Sequence, residues 1–286
     1  MKNRGEIYIL LTALIISTFG IFIRELDKEV PPIAQVSLRF MIAAIIYFVL
    51  FAKDRAYLKI TKPQFFKLLI AGFLAYGVMV VLFVLSYLNT SYANASAFTS
   101  MTPLFAGIFG WMLLREKITN SKIIALLLSV SGVMIIFRPD FSNFDIGIAY
   151  GIACALLYGL YFTIIRSFKK DDWKTSAFYV PLFAGFLLFP FVLIFETTSF
   201  SYSLTTWIYI IIMSLLNVAV LFFLNRGMQT VEAGVGGILS SSVIVFGSII
   251  SILVYRELPS LAELAGYAFI LLAVVAVHLK FKKGDR

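Results

Sequence analysis

Residues 68–114 carry no charged side chain. A helix needs roughly 20 mostly apolar residues to cross about 30 Å of hydrocarbon. This single run is therefore too long for one crossing and long enough for two. The polar stretch at 89–96 (NTSYANAS) divides it into predicted spans at 66–88 and 93–114.

Runs of the same kind recur along the chain. Predicted spans lie at 6–24, 33–52, 66–88, 93–114, 120–137, 146–165, 175–195, 206–225, 233–255 and 261–279. Hydrophobic residues make up 61% of the chain and charged residues only 14%, against about 25% charged in soluble domains. The expected fold is an all-α integral membrane protein with ten transmembrane helices. A closed β-barrel would show alternation in segments of about ten residues, and none is present. The first run is followed at once by others like it, so it reads as a span and not as a cleaved leader.

The net charge is +9. In a soluble protein that balance points toward nucleic acid. Here the basic residues fill short gaps between apolar runs, where they set orientation and give no reason to expect a nucleic-acid partner. With a cytoplasmic N-terminus, nineteen of the 24 Lys and Arg fall on the cytoplasmic side and four on the other, with Arg39 inside a span. Both termini are therefore expected inside, in a multi-pass protein of the cell membrane whose surroundings are lipid bilayer. Cys154 is the only cysteine and lies in an apolar run, so no disulfide framework is expected.

The pair Arg115–Glu116 follows one apolar run, and Arg256–Glu257 follows another about half a chain later. That spacing suggests duplication into repeats at 1–140 and 141–286. Five spans per half is an odd number, so the second half would enter from the opposite side. Two inverted five-helix repeats in one transmembrane domain are a transporter signature, with the site near the midplane between them.

The stretch ASAFTSMTPLFAGIFGWMLLREKIT at 95–119 resembles the EamA-type family of the drug/metabolite transporter superfamily, as does Ser37-Leu38-Arg39-Phe40 in the second span. The resemblance covers the whole chain. It implies a ten-helix carrier of small metabolites, often working outward. Its cavity would be lined by spans one, three, four, six, eight and nine. Ile244 stands where the first half has Pro103, and Ala273 where it has Gly132, so the halves are not expected to bend alike.

Charges deep in a membrane are candidates for function. Arg39 sits roughly 9 Å inside its span at about 1.5 Å per residue. It either snorkels to the headgroups or bonds helix-end carbonyls, or it pairs with an anionic substrate. Asp and Glu fall at span ends, and His278 is terminal, so a carboxylate-driven exporter of cations fits less well than a uniporter or exchanger. Tyr92, Ser96, Thr99 and Pro103 recur at helical spacing on the fourth span. Gly234, Gly236, Gly237, Ser240, Ser241 and Ser242 give the ninth a small-residue face suited to helix packing. Asn217 and Asn225 lie two turns apart and could share a wet face. Tyr76, Tyr158 and Tyr161, with Trp111, offer amphipathic walls for an organic substrate. The substrate-binding candidates are Arg39, Tyr76, Ser96, Thr99, Tyr158, Tyr161, Asn217, Ser240 and Ser241.

Neither a Walker loop, nor HExxH, nor a Ser/His/Asp set occurs, so no catalytic residue, metal or cofactor is expected. The favoured function is a secondary transporter of small polar or amphipathic metabolites such as amino acids. It would work by alternating access, as an exporter or facilitated exchanger, in a monomer or homodimer. A proton-coupled multidrug exporter is the alternative within transport. A non-transporting scaffold or sensor is the alternative outside it.

Overall fold

The structure, a computed structural model, describes residues 2–90, 92–138, 144–168, 173–197, 200–256 and 258–283. Every regular element among them is helical: α1 (Lys2–Ser17), α2 (Phe19–Leu26), α3 (Pro32–Leu50), α4 (Lys62–Leu69), α5 (Met79–Asn89), α6 (Tyr92–Thr99), α7 (Thr102–Leu114), α8 (Asn120–Phe137), α9 (Ile146–Arg166), α10 (Trp173–Phe195), α11 (Leu204–Met228), α12 (Ala233–Ser240), α13 (Ser242–Tyr255) and α14 (Leu261–Lys283). A 3-10 turn occupies Arg55–Leu58, and a π-helical segment, Ile70–Val78, joins α4 to α5.

Eight helical stretches among the described residues are long and apolar enough to cross a bilayer. They correspond to the predicted second through ninth spans. The first predicted span is split at Thr18. There Ser17 Oγ donates to Leu14 O at 2.6 Å and Thr18 Oγ1 to Ile15 O at 2.7 Å, and hydroxyls that back-bond in this way weaken and often bend helices. The last is helical, with Leu261–Ala276 as its apolar part. Large apolar side chains face outward, among them Leu193, Ile194 and Phe195 at 63–70% exposure. Water would not tolerate so broad a belt, but lipid does.

The fourth and ninth spans are both broken near their middles, contrary to the expectation from Pro103 and Ile244. Proline at the second position of α7 explains the first break. The second has no proline. Ser241 occupies it, its N–H shared between Gly237 O and Ile238 O at 3.2 Å each and its hydroxyl turned back on Gly237 O at 3.5 Å. Serine back-bonding thus produces in one half what proline produces in the other.

The Arg–Glu pair acquires a local reason. Arg115 ends α7 in the left-handed region at φ 55°, and Arg256 ends α13 likewise at φ 57°. At Arg115, Glu116 N donates to Gly110 O at 3.1 Å and Arg115 N to Trp111 O at 3.1 Å, the bonds that close a helix C-terminus. Arginine there also sets a positive charge against the negative end of the helix dipole. Glu257 lies outside the described residues.

The helices pack mainly in the pairs α8 with α14, α3 with α10, α1 with α11, α5 with α9, α7 with α9 and α7 with α12, and the π-helical segment packs on α10. Small residues permit close crossings: a Cβ on Gly132 would lie 2.7 Å from Gly266 O, and one on Gly266 would lie 2.7 Å from Gly132 O. Hydroxyls stitch the interior. Ser37 Oγ donates to Gly185 O at 2.8 Å, Ser86 Oγ to Gly147 O at 2.8 Å, and Ser129 and Ser241 share a hydrogen bond at 3.0 Å.

Candidate functional site

Gln35 and Arg39 are one helical turn apart on α3, so their side chains share a face. That face points into the bundle. Arg39 is 2% exposed and Gln35 0%. The Arg39 Nε donates to the Gln35 carbonyl oxygen at 3.1 Å, while Nη1 has no hydrogen-bond partner among the described residues. Nor has either side-chain atom of Gln35. The snorkelling expected as one role for Arg39 is corrected here: the guanidinium stays inside instead of reaching the surface. Gln35 gave no sequence signal beyond its spacing from Arg39, and it was missed.

Beside this pair lies a cluster of rings. Tyr76, in the π-helical segment, is within electrostatic reach of Arg39. Its ring centroid is 5.3 Å from Phe40, 6.5 Å from Tyr158 and 4.7 Å from Tyr161. π-helical departures inside α-helices are frequent at functional sites. Tyr161 OH donates to Asn225 Oδ1 at 2.6 Å, leaving Asn225 Nδ2 buried without a partner among the described residues. Tyr47, also missed, donates to the Val218 carbonyl at 2.5 Å. The second, third, sixth and eighth predicted spans therefore converge on one polar-aromatic centre.

Replacing Tyr161 by phenylalanine leaves both ends of the Asn225 amide unpaired. The expected loss is about 1–3 kcal/mol of stability, the usual penalty for stranding a buried polar group. Adding Asn225→Leu to Tyr161→Phe should recover much of it. Thermal unfolding of the purified single and double variants checks this; additive losses would contradict it.

The remaining predicted residues lie elsewhere. Asn217 is buried, but its Nδ2 donates to Met213 O at 2.8 Å within α11, and it does not pair with Asn225. Ser96 bonds Tyr87 OH at 2.8 Å, and Thr99 Oγ1 donates to Ala95 O at 2.7 Å. Thr99 packs against α9, its backbone N being 3.6 Å from where a Gly151 Cβ would sit. Ser241 belongs to the break in the ninth span, with Ser240 beside it. Ser96 and Ser241 bond across to α5 and α8, Thr99 bonds within its own helix, and among the described residues none of the four bonds Tyr76, Tyr158 or Tyr161. The side chain of Tyr92 is outside the described residues.

Carboxylates tie helix ends together at both ends of the bundle. At one end, both carboxylate oxygens of Glu116 accept from Ala233 N at 3.1 Å. Arg166 Nε lies 3.8 Å from Glu116, and Lys122 pairs with Glu232. Arg226 lies over the rings of Tyr8, Trp173 and Phe222, and Asp54 pairs with Lys174 at 2.5 Å. Burial, foremost, holds the Glu116 carboxyl above the usual carboxylate range. At the other end, Glu196 accepts from Ile33 N and Ala34 N at 2.7 and 2.8 Å. There Glu29 accepts from Thr206 and Ser203, and Asp145 from Thr90 and Ile148. The carboxyls of Glu29 and Asp145 are lowered first by the hydroxyls of Thr206 and Thr90.

Comparison with known proteins agrees with this architecture. The EamA-like transporter family matches the chain twice, at residues 3–138 and 145–279. An uncharacterized transporter of Bacillus subtilis, YetK, is 30% identical over 99% of this chain and 90% of its own length. Human solute carrier family 35 member G1 is 22% identical over 90% of this chain and 73% of its own. A solved crystal structure superimposes with a TM-score of 0.79 over 97% of this chain and 98% of the other, at 18% identity, and so shares the fold.

Proposed function

The chain belongs to the EamA-like transporter family, a multi-pass membrane protein of the drug/metabolite transporter superfamily, and from that premise we propose a secondary transporter of small polar or amphipathic metabolites, such as amino acids. Ten crossings are arranged as inverted repeats at 1–140 and 141–286, with both termini cytoplasmic. The repeats rock against each other to expose a central site alternately, giving export or facilitated exchange across the cell membrane.

The observation that carries the reading is the polar-aromatic centre. Arg39, Gln35 and Asn225 keep unpaired hydrogen-bonding groups inside a lipid-facing bundle, where such groups are expensive and mark substrate paths. The repeat is supported by the double family match and by the packing. α3 meets α10 and α8 meets α14, each the counterpart of the other under the duplication, the fourth span meets the ninth through α7 and α12, and α1 with α11 is mirrored by α9 with α5. The charged contacts support the alternation, because each joins helix ends that ten crossings would put on one side. The tied helix ends and the contacts among the rings support reading this conformer as an occluded state.

Uptake by proteoliposomes tests the reading, screening metabolites with and without a pH gradient. Saturable flux with counterflow is expected for at least one small metabolite, with a C-terminal reporter on the cytoplasmic side. Flux without saturation or counterflow would replace the carrier by a pore, and a reporter outside the cell would overturn the topology.

A further inference from the structure

We infer that Arg39 and Gln35 form a receptor for the carboxylate of the transported molecule, and that the substrates are small organic monocarboxylates with an apolar or aromatic body. This rests on the transporter reading above and narrows it.

The charge comes first. Arg39 is buried at 2% exposure, and no acidic side chain among the described residues pairs with it. A peptide carbonyl or a water satisfies an N–H but supplies no opposing charge. Buried guanidinium groups are otherwise found with a counter-ion, and the described residues provide none. An anion that arrives and leaves is the remaining partner.

The donors come second. Nη1 of Arg39 and Nε2 of Gln35 are both buried and both without partners among the described residues. They belong to residues one turn apart on one helix face, and two N–H donors so placed can serve the two oxygens of one carboxylate. A phosphate monoester would need more positive charge than one guanidinium brings. The other arginines of α9 and α11 are engaged at the bundle end, Arg166 with Glu116 and the Gln229 carbonyl, Arg226 with three rings.

The walls come third. Phe40 is next to Arg39 in sequence, and its ring meets Tyr76, which meets Tyr158 and Tyr161. A molecule with its carboxylate on Arg39 would lay its body along these rings. Stacked or edge-on aromatic contacts suit a planar or branched apolar group.

The test uses the full-length protein, purified and in proteoliposomes, with two readouts. The probes are 3-phenylpropionate and indole-3-acetate, their neutral amides, and phenyl phosphate. Both carboxylates should raise the melting temperature of the wild type by several degrees, and the amides should not. Carboxylate counterflow should fall roughly thirtyfold or more in Arg39→Gln, the order seen when one partner of a buried charge pair is removed. Arg39→Lys should retain part of it. Gln35→Leu, which keeps the charge and fills the space, should weaken carboxylate binding without preventing folding.

Amides that bind or move as well as the acids would overturn the inference. So would phenyl phosphate binding more tightly than both acids, or wild-type behaviour of both Arg39→Gln and Gln35→Leu. If no probe crosses but the carboxylate shift is present in the wild type and absent in Arg39→Gln, the receptor stands and the transport reading fails. If no carboxylate shifts or moves while another metabolite is carried, the receptor fails and the transport reading stands.

Discussion

Gly237→Val is expected to remove most of the folded protein, lowering stability by about 3 kcal/mol or more, at or beyond the upper end for an overpacked core. Gly237 lies on α12 where it crosses α7. A Cβ there would lie 2.7 Å from Pro103 Cα and 3.3 Å from Ala106 Cβ. The first neighbour is backbone beside a proline ring, so no rotamer change relieves the contact, and valine adds two more methyl groups. Helix association in lipid depends on close packing more than on apolar burial, so a forced separation is not offset by new apolar contact. Gly247→Ala is the control, because a Cβ there meets nothing within 4 Å. It should be neutral, or stabilising by about 0.5–1 kcal/mol from helix propensity. The readout is built in: Cys154 is the only cysteine and is 2% exposed, so a thiol-reactive dye should report unfolding. Gly237→Val melting within a degree or two of wild type would mean that α7 and α12 do not cross at this point.

That crossing illustrates which parts of the fold the residues announce. Spans two to nine could be placed because hydrocarbon excludes charge, so the runs from 33 to 255 reveal their number and rough limits directly. The breaks inside them are set by side chains that look ordinary in the sequence. Thr18 resembles any other hydroxyl, yet back-bonding there splits the first span. Ser241 breaks the ninth span where Ile244 had suggested a straight helix. The π turn at Ile70–Val78 that turns Tyr76 inward contains only common apolar residues and two glycines.

The site was legible in the same uneven way. Arg39 declared itself as a charge within a span, and Tyr76, Tyr158 and Tyr161 as amphipathic rings, and the four come together. Their partners did not. Gln35 is a neutral amide near a helix start, and Asn225 gains its meaning only from Tyr161, 64 residues away. Ser96 and Thr99 fit a polar stripe at helical spacing, and Ser240 and Ser241 a small-residue face, but a hydroxyl in a helix can spend its donor on its own backbone. Thr99 and Ser241 do so. Periodicity gives the face of a helix and not what stands opposite it.

Glu116 is the other position where a large effect is expected, and there the sign depends on pH. Its carboxylate ties the end of α7 to the first N–H of α12, with Arg166, Lys122 and Glu232 around it. Glu116→Ala strands the Ala233 N–H and should lose about 1–3 kcal/mol. Glu116→Gln keeps an acceptor and should lose less. Burial raises this carboxyl, followed by the lowering influence of Ala233 N, the raising influence of Glu232, and the lowering influences of Lys122 and Arg166. The folded state thus holds the proton more tightly than the unfolded chain, whose carboxyl returns to about 4.5. The contribution of this group to stability is full below that value and is lost as pH rises through the raised pKa. Wild type minus Glu116→Gln isolates it, because the other titrating groups are common to both proteins. That difference should favour wild type most in acid and shrink as pH rises through the raised pKa; a flat difference, or one that grows, would contradict the assignment. The same sign bears on transport. If this latch must part for the centre to open, the ionised form of Glu116 favours opening. Glu116→Gln should then lower turnover while leaving substrate affinity unchanged, whereas loss of affinity with turnover intact would place Glu116 in the binding site and not at the gate.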